Sequence, residues 1–369
     1  MPKLKNNLPN KYLINLANKL SEINQFETFP NPCVGAVGVD KNNHIHLAVT
    51  GKNGSPHAEF TLLKNKKINF INELYTSLEP CCHIGKNPSC SNLIIKKKVK
   101  KIFSSSIDLD ERVKGKTNRL LKKKNISLKY TKQPSKPSIL HNYCNLNQKP
   151  YVVAKIASSN DFYSKHKFKR LFTSTSALKF AHLLRYQSDS ILVGKNTINH
   201  DNPSLNCRLN GIEKKIAIFI INKNLFFNKK VFLNNNLKGA YVFHSEKNKI
   251  KIKKVGKFFK LIYFDLNQPI NDLLKIVYRL GYKKLLIEGG ANTLSNFLKS
   301  KCINELYHVK NKLNFNKNGL LSIKKIIKNN KLPLNQVLNL EQDLILNYKS
   351  KYVHWNYWRY CKFKKNIKE

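Results

Sequence analysis

A chain of 369 residues, 41% of them hydrophobic, is long enough for two domains with separate cores and too apolar to be disordered throughout. Sixty-eight Lys and Arg stand against 21 Asp and Glu, a formal charge of +47. Lys, Asn and Ile recur everywhere, in runs such as Lys96-Lys97-Lys98 and Asn234-Asn235-Asn236, so the excess reads as A/T-rich coding drift on solvated faces and not as a nucleic-acid footprint.

Of the eight cysteines, Cys81, Cys82 and Cys90 crowd together while the others are scattered, which excludes a regular disulfide scaffold and points to a local metal site. Residues 1–20 lack the apolar run of a signal peptide. The most apolar stretch, residues 216–221, is far too short to span a membrane. A soluble, cytoplasmic protein is expected, with no membrane partner.

Leu13, Ile14, Leu16, Ala17, Leu20 and Ile23 recur at helical spacing over residues 11–23. Asn31-Pro32 breaks the chain, and residues 34–39 are expected as a strand. A helix follows over 57–63. Residues 73–79 alternate Leu74, Thr76 and Leu78 as a strand ended by Pro80, and 99–104 form another. Two prolines in the polar, basic stretch 131–138 mark a linker, giving domains 1–147 and 148–369. Beyond it come a strand at 151–156, a helix at 176–186 and a buried strand at 190–193. A further strand at 284–287 leads through Gly289-Gly290 into a helix ending at Leu298. The tail after Tyr348, with Trp355 and Trp358, is expected to close a sheet. No internal repeat is visible. Helices alternating with strands imply an α/β layer architecture.

The densest chemistry is His57-Ala58-Glu59, then Pro80-Cys81, then Cys90. Zinc prefers imidazole nitrogen and thiolate, and a catalytic site keeps three protein ligands and an open fourth position. His57, Cys81 and Cys90 supply three. Zinc lowers the pKa of water from 15.7 to about 7. Glu59 sits beside the metal without ligating it, where it can carry protons from water to the ring and to departing ammonia. Cys82, next to a ligand, reads as a neighbour of the site, with a ligand role left open.

These residues carry a resemblance. Asn31-Pro32-Cys33-Val34-Gly35-Ala36-Val37, Gly54-Ser55-Pro56-His57-Ala58-Glu59 and the loop from Leu78 to Cys90, with His83 and Gly85-Lys86 inside it, resemble the cytidine-deaminase-type half of the bifunctional riboflavin-biosynthesis deaminase–reductase (RibD) family. Nucleoside and nucleic-acid deaminases of the superfamily mostly carry PCxxC. The wider spacing between Cys81 and Cys90 is the riboflavin version. The resemblance implies that Asn31, His83 and Lys86 hold the pyrimidine and ribose phosphate. Three positions depart from the family: Thr50 replaces a His, Asp108-Leu109-Asp110-Glu111 replaces Asp-Pro-Asn-Pro, and Thr117 replaces a second glycine after Gly115.

The second half has no GxGxxG and no phosphate-binding Walker loop. Glu288-Gly289-Gly290 at a strand end opens a helix, where backbone N–H groups can approach a phosphate. The resemblance extends through residues 155–161, 183–185, 190–197 and 201–208 to the family's dihydrofolate-reductase-like, NADPH-using domain. It implies coenzyme contacts from Ala157, Thr197, Asp201, Gly290, Ala291, Asn292, Thr293, Leu294, Ser295 and Asn296. Arg185, Leu205, Arg208 and Glu288 would face the sugar-phosphate substrate. Leu171 stands for a family Trp, Phe162 for a Gly, and the Gly-Gly expected near Lys312-Leu313-Asn314 is missing.

The fold implied is α/β throughout, a cytidine-deaminase-like α/β/α layer domain followed by a dihydrofolate-reductase-like α/β domain. The implied cofactors are Zn2+ and NADPH. The implied substrate is a small phosphoribosylated pyrimidine, with no specific nucleic acid, and a homo-oligomer is left open. Two rivals stand beside this reading: a basic RNA-acting zinc deaminase, and a deaminase with an inactive reductase half.

Overall fold

The computed structural model describes residues 10–350 except 69, 86, 87, 170, 171 and 210. The described chain divides into two compact units between Gln148 and Lys149. The tail with Trp355 and Trp358 lies outside the described residues.

The first unit runs α1 (Lys11–Ile23), β1 (Gly35–Val39), β2 (Ile45–Val49), α2 (Ala58–Lys64), β3 (Glu73–Thr76), α3 (Cys90–Lys96), β4 (Lys101–Ser104), α4 (Lys116–Lys122), β5 (Ser127–Tyr130) and α5 (Lys136–Asn147). The sheet order is β2-β1-β3-β4-β5, antiparallel among the first three and parallel from β3 to β5. Successive strand residues face opposite sides. Val37, Tyr75 and Phe103 pack with Ile14 and Ala17 of α1. Their neighbours Ala36, Leu74 and Ile102 pack with Leu62 of α2, Ile94 of α3 and Leu121 of α4. The result is a three-layer α/β/α unit. Helix α1 seats closely because β1 begins on Gly35, where a Cβ would come within 2.1 Å of the Ala17 carbonyl oxygen.

The stretch expected as a linker instead starts α5. Ser135 caps it by accepting the Ser138 amide, and Pro137 falls in the first turn, where its missing N–H costs nothing. The helix turns Ser138, His141, Asn142 and Asn145 inward. A polar, proline-rich composition here serves a helix start with a polar buried face.

The second unit carries thirteen strands and seven helices among its described residues. Its strands are β6 (Tyr151–Ser158), β7 (Tyr163–His166), β8 (Ser190–Gly194), β9 (Cys207–Leu209), β10 (Ile212–Lys214), β11 (Ala217–Ile221), β12 (Tyr241–His244), β13 (Lys260–Tyr263), β14 (Lys284–Ile287), β15 (Glu305–Asn311), β16 (Gly319–Ser322), β17 (Leu334–Leu340) and β18 (Asp343–Lys349). The helices are α6 (Thr175–Tyr186), α7 (Lys195–Asp201), α8 (Lys229–Phe232), α9 (Lys249–Gly256), α10 (Ile270–Arg279), α11 (Ala291–Lys299) and α12 (Lys324–Lys328). Nine strands form one sheet in the order β13-β12-β11-β8-β14-β6-β15-β18-β17. From β13 to β15 all neighbours are parallel, and β18 and β17 close the edge antiparallel.

Parallel strands covered on both faces read as continuous apolar runs, which is why 190–193 and 284–287 stand out in the sequence. Leu273, Leu274 and Val277 of α10 and Ala291, Leu294 and Phe297 of α11 cover one face. Ala177 of α6 meets Val309 and Ile345 on the other.

Candidate active sites

In the first unit, the apolar strand β3 ends before Pro80 and leaves Cys81 on a loop that returns at α3. His57 is the N-cap of α2, Glu59 lies in its first turn, and Cys90 is the first residue of α3. His57 Nδ1 stands 3.6 Å from Cys81 Sγ and 3.4 Å from Cys90 Sγ. All three donor atoms lie within 4.8 Å of one another. Tetrahedral zinc with Zn–S of about 2.3 Å and Zn–N of about 2.0–2.1 Å requires N···S separations of about 3.5–3.6 Å. The trio therefore fits zinc. Sharing a proton splits the thiols: the Cys90 hydrogen bond pulls the Cys81 pKa down to about 4, and Cys90 itself is pushed up. His57 is raised, chiefly by its hydrogen bond with Cys81. Glu59 is 3% exposed, and burial pushes its carboxyl up to about 7, where it can take and return a proton near neutrality.

The loop is tied down around the metal donors. The Cys81 carbonyl accepts from the Ser91 amide at 3.0 Å and the Ser91 hydroxyl at 2.7 Å. Cys82 Sγ turns to the Arg112 carbonyl at 3.4 Å and stays out of the donor cluster. Asn31 Nδ2 donates to the Gly54 carbonyl at 3.1 Å, three residues before His57. His83 Nδ1 is buried and finds no partner among the described residues, as a group awaiting a ligand would. Lys86 lies outside the described residues. A hollow of about 630 Å³ along the outer side of the loop, lined by Phe60, Ile84 and Pro88, contains none of the donors.

The departures from the family have structural partners. Thr50 is buried and accepts the Val34 amide at 2.9 Å. Asp108 is buried beside His141, whose Nε2 is 3.0 Å from Asp108 Oδ1.

In the second unit a cleft of about 510 Å³ opens at the carboxyl ends of β6, β8 and β14, where open α/β sheets take their ligands. Ala157, Thr197, Asp201, Glu288, Gly290, Ala291, Asn292 and Thr293 line it. A Cβ on Gly289 would come within 2.7 Å of Thr293 Cβ, so the strand can pass this close to α11 only with glycine there. Asn296 lines a neighbouring hollow of about 440 Å³ that shares Ile221, Asn292 and Thr293 with the cleft. Two expected coenzyme contacts fall elsewhere: Leu294 is a core residue, 1% exposed, and Ser295 lines neither hollow. Successive residues of the helix start point about 100° apart, so Leu294 turns into the core with Ala291 and Phe297, and the motif alone does not tell which residue points into the cleft.

Arg185 and Glu288, expected to face substrate separately, bind each other. Arg185 Nε donates to Glu288 Oε1 at 2.7 Å and Nη2 to Oε2 at 2.6 Å, with Nη1 on the Asn206 carbonyl at 3.0 Å. Leu205 is buried with φ 49, and Arg208 is exposed; neither lines the cleft. Phe162, where the resemblance leads one to expect a glycine, takes a left-handed backbone at φ 68. Leu171 lies outside the described residues.

Sequence reasoning left several lining residues without a role, among them Ser164, Lys165, Lys195, Asn196 and His200, and Lys155 is the one that stood out. Lys155 is the lone charge in the otherwise apolar strand β6, a signal that was present in the residues. Burial lowers its pKa, with Glu288 opposing and Arg185 adding to the shift.

Residues 9–106 match the family described as the cytidine and deoxycytidylate deaminase zinc-binding region, and residues 150–309 match the RibD C-terminal domain. Site and matches together define the class: a two-domain enzyme, a zinc-type deaminase followed by a reductase. The chain is 28% identical to the riboflavin biosynthesis protein RibD of Bacillus amyloliquefaciens over 80% of its own length and 83% of that protein's. Against RibD of Aquifex aeolicus the identity is 27%, over 92% and 98%. The fold of Acinetobacter baumannii RibD superposes with a TM-score of 0.79 at 24% identity, covering 92% of this chain and 98% of that one. The chain belongs to the RibD family of bifunctional riboflavin-biosynthesis deaminase–reductases.

Proposed function

We propose that the chain performs two consecutive steps of riboflavin biosynthesis. The first is hydrolytic deamination of 2,5-diamino-6-(5-phosphoribosylamino)pyrimidin-4-one. The second is NADPH-dependent reduction of the ribosyl group to 5-amino-6-(5-phosphoribitylamino)uracil. The observation that carries the reading is the zinc-matched spacing of His57, Cys81 and Cys90 around the buried Glu59.

Zinc held by that trio would supply water acidified to a pKa of about 7. Glu59 takes one proton from the water and delivers it to the ring nitrogen, then carries the remaining hydroxyl proton to the amine, which leaves as ammonia. Asn31 orients the pyrimidine, with His83 and Lys86 on the ribose phosphate. In the reductase cleft, NADPH would supply the hydride. The first turn of α11 and the Thr197 and Thr293 hydroxyls offer donors to its phosphates. Opening the ribose ring leaves an oxygen that needs a proton, and among the cationic residues lining the cleft we assign this role to Lys155, whose pKa burial lowers. Glu288 holds Arg185 in place at the substrate end.

No helix among the described residues is long and apolar enough to cross a membrane. We infer a cytoplasmic enzyme acting on a small molecule, with no specific RNA partner. Incubating the chain with the diaminopyrimidinone phosphate, with and without NADPH, and weighing the products by mass spectrometry tests the reading. Exchange of an imino group for oxygen is expected without NADPH, and two further hydrogens with it. An unchanged substrate under both conditions would overturn the assignment.

A further inference from the structure

Thr117 is 0% exposed in the first turn of α4, and its Oγ1 donates to the Pro80 carbonyl at 2.8 Å. A threonine in a helix ordinarily satisfies its hydroxyl on a carbonyl three or four residues earlier. This one instead reaches 37 positions back along the chain, to the residue just before the metal donor Cys81. Pro80 is itself buried, so its carbonyl has no water to turn to.

The other residues around Cys81 are tied to the same segment. The Glu79 amide donates to the Ser106 carbonyl at 2.9 Å, and the Asp108 amide to Glu79 Oε2 at 3.1 Å. Cys82 Sγ reaches the Arg112 carbonyl at 3.4 Å. The peptide plane joining Pro80 to Cys81 is therefore held by Thr117 on one side, and the next carbonyl by Ser91 on the other. Fixing those planes fixes the direction of the Cys81 Cα–Cβ bond and hence the place of its sulfur.

We propose that Thr117 is a positioning residue of the deaminase, whose hydroxyl holds the Pro80 carbonyl and thereby sets Cys81 as a metal ligand; this rests on the zinc-deaminase reading above. A glycine at 117, as the family resemblance leads one to expect, has no side-chain donor for that carbonyl. This chain supplies one in the segment that has lost the Asp-Pro-Asn-Pro sequence.

Thr117→Val keeps the shape and removes the donor, while Thr117→Ser keeps the donor. The full-length protein would be loaded with Zn2+ or Co2+. Zinc transfer to a chromophoric chelator, the Co2+ absorption spectrum, and kcat and KM for deamination would be measured. Outer partners of metal ligands typically tune affinity or activity by about 10–100-fold. For Thr117→Val, which acts through a neighbouring carbonyl, about tenfold faster zinc loss is expected. Its Co2+ bands should shift, and kcat should fall with KM little changed. Thr117→Ser should match the parent. A purely structural threonine would lower the melting temperature of Thr117→Val while leaving its Co2+ spectrum and zinc retention at parent values, and that result overturns the proposal. If the parent holds no zinc, or Cys81→Ala holds it as well as the parent, the deaminase reading falls and the proposal with it.

Discussion

Removing Glu288 takes away the carboxylate that binds the Arg185 guanidinium and that also offsets the charge of Lys155. The two side chains are only 15% and 12% exposed, and the contact is bidentate at 2.7 and 2.6 Å. Breaking a buried pair from one side costs about 3–5 kcal/mol, because the remaining charge keeps its desolvation penalty. Partial exposure at both ends places the expected loss for Glu288→Ala near the lower figure, about 3 kcal/mol. That is roughly two powers of ten in the opening equilibrium of the second unit. Arg185→Ala should cost less, since Glu288 then retains Lys155 as a neighbour.

The double variant should lose clearly less than the sum, with a coupling of about 1–3 kcal/mol. Hydrogen exchange of the slowest amides of β6 and β14, followed in all four proteins, measures each term. The Lys155 pKa should fall further in Glu288→Ala and rise in Arg185→Ala, readable from the pH dependence of NADPH oxidation. Additive single losses, or single losses too small to detect, would refute the account of this pair.

Cys90→Ala should release zinc, because two donors do not close the site, while Glu59→Gln should retain the metal by mass spectrometry and release no ammonia. Full deaminase activity in Glu59→Gln would remove the glutamate from the mechanism. Lys155→Met should leave deamination intact and slow NADPH oxidation by about 10²–10⁴-fold, the usual range for a lost general acid, and unchanged turnover would disprove the proton-donor role. Burial pushes the Asp189 carboxyl up to about 6, despite hydrogen bonds from the Lys283 and Lys284 amides and the Ser190 hydroxyl. Its folded pKa exceeds the ordinary value of about 3.9, so the fold binds this proton more tightly than the unfolded chain does. Asp189 therefore disfavours the fold above pH 6 and ceases to do so as the pH falls toward 4. The stability of the parent relative to Asp189→Asn should rise over that window by up to about 3 kcal/mol, and a pH-independent difference would contradict it.

The metal site was legible because its chemistry allows few residue types at few spacings: His57, Glu59, Cys81 and Cys90 fall together in space as their order in the chain suggests. The helix at 11–23 and the strands at 190–193 and 284–287 were legible because burial imposes a period or an unbroken apolar run. Less could be read where one residue type serves two ends. Pro134 and Pro137 mark punctuation, yet nothing local distinguishes a linker from a helix start whose polar face is buried by Asp108 and Ser77. The strand β2 escaped notice although Ile45, Leu47 and Val49 alternate, because it is a short edge strand whose apolar residues Ile45 and Leu47 lie exposed. Arg185 and Glu288 lie 103 positions apart, and only tertiary structure reveals that each is the other's partner. Phe162 shows the reverse case, in which a side chain hides a left-handed backbone that glycine would have announced.

The layered packing of both units bears on how such a chain tolerates a biased genome. A strand covered on both faces asks only for apolar bulk, and a helix's outer face asks only for solubility, so pressure toward Ile and Leu inside and Lys and Asn outside can be absorbed with little loss. Tolerance ends where two backbones pass within a side chain's width. At Gly35 a methyl group would overlap the Ala17 carbonyl, and at Gly289 it would overlap Thr293, beside the cleft. These two positions are among the brittle points of an otherwise permissive scaffold, with Gly51, Gly54 and Gly319 as tight, and a single methyl group at any of them reaches further than dozens of exchanges among Lys, Asn and Ile elsewhere.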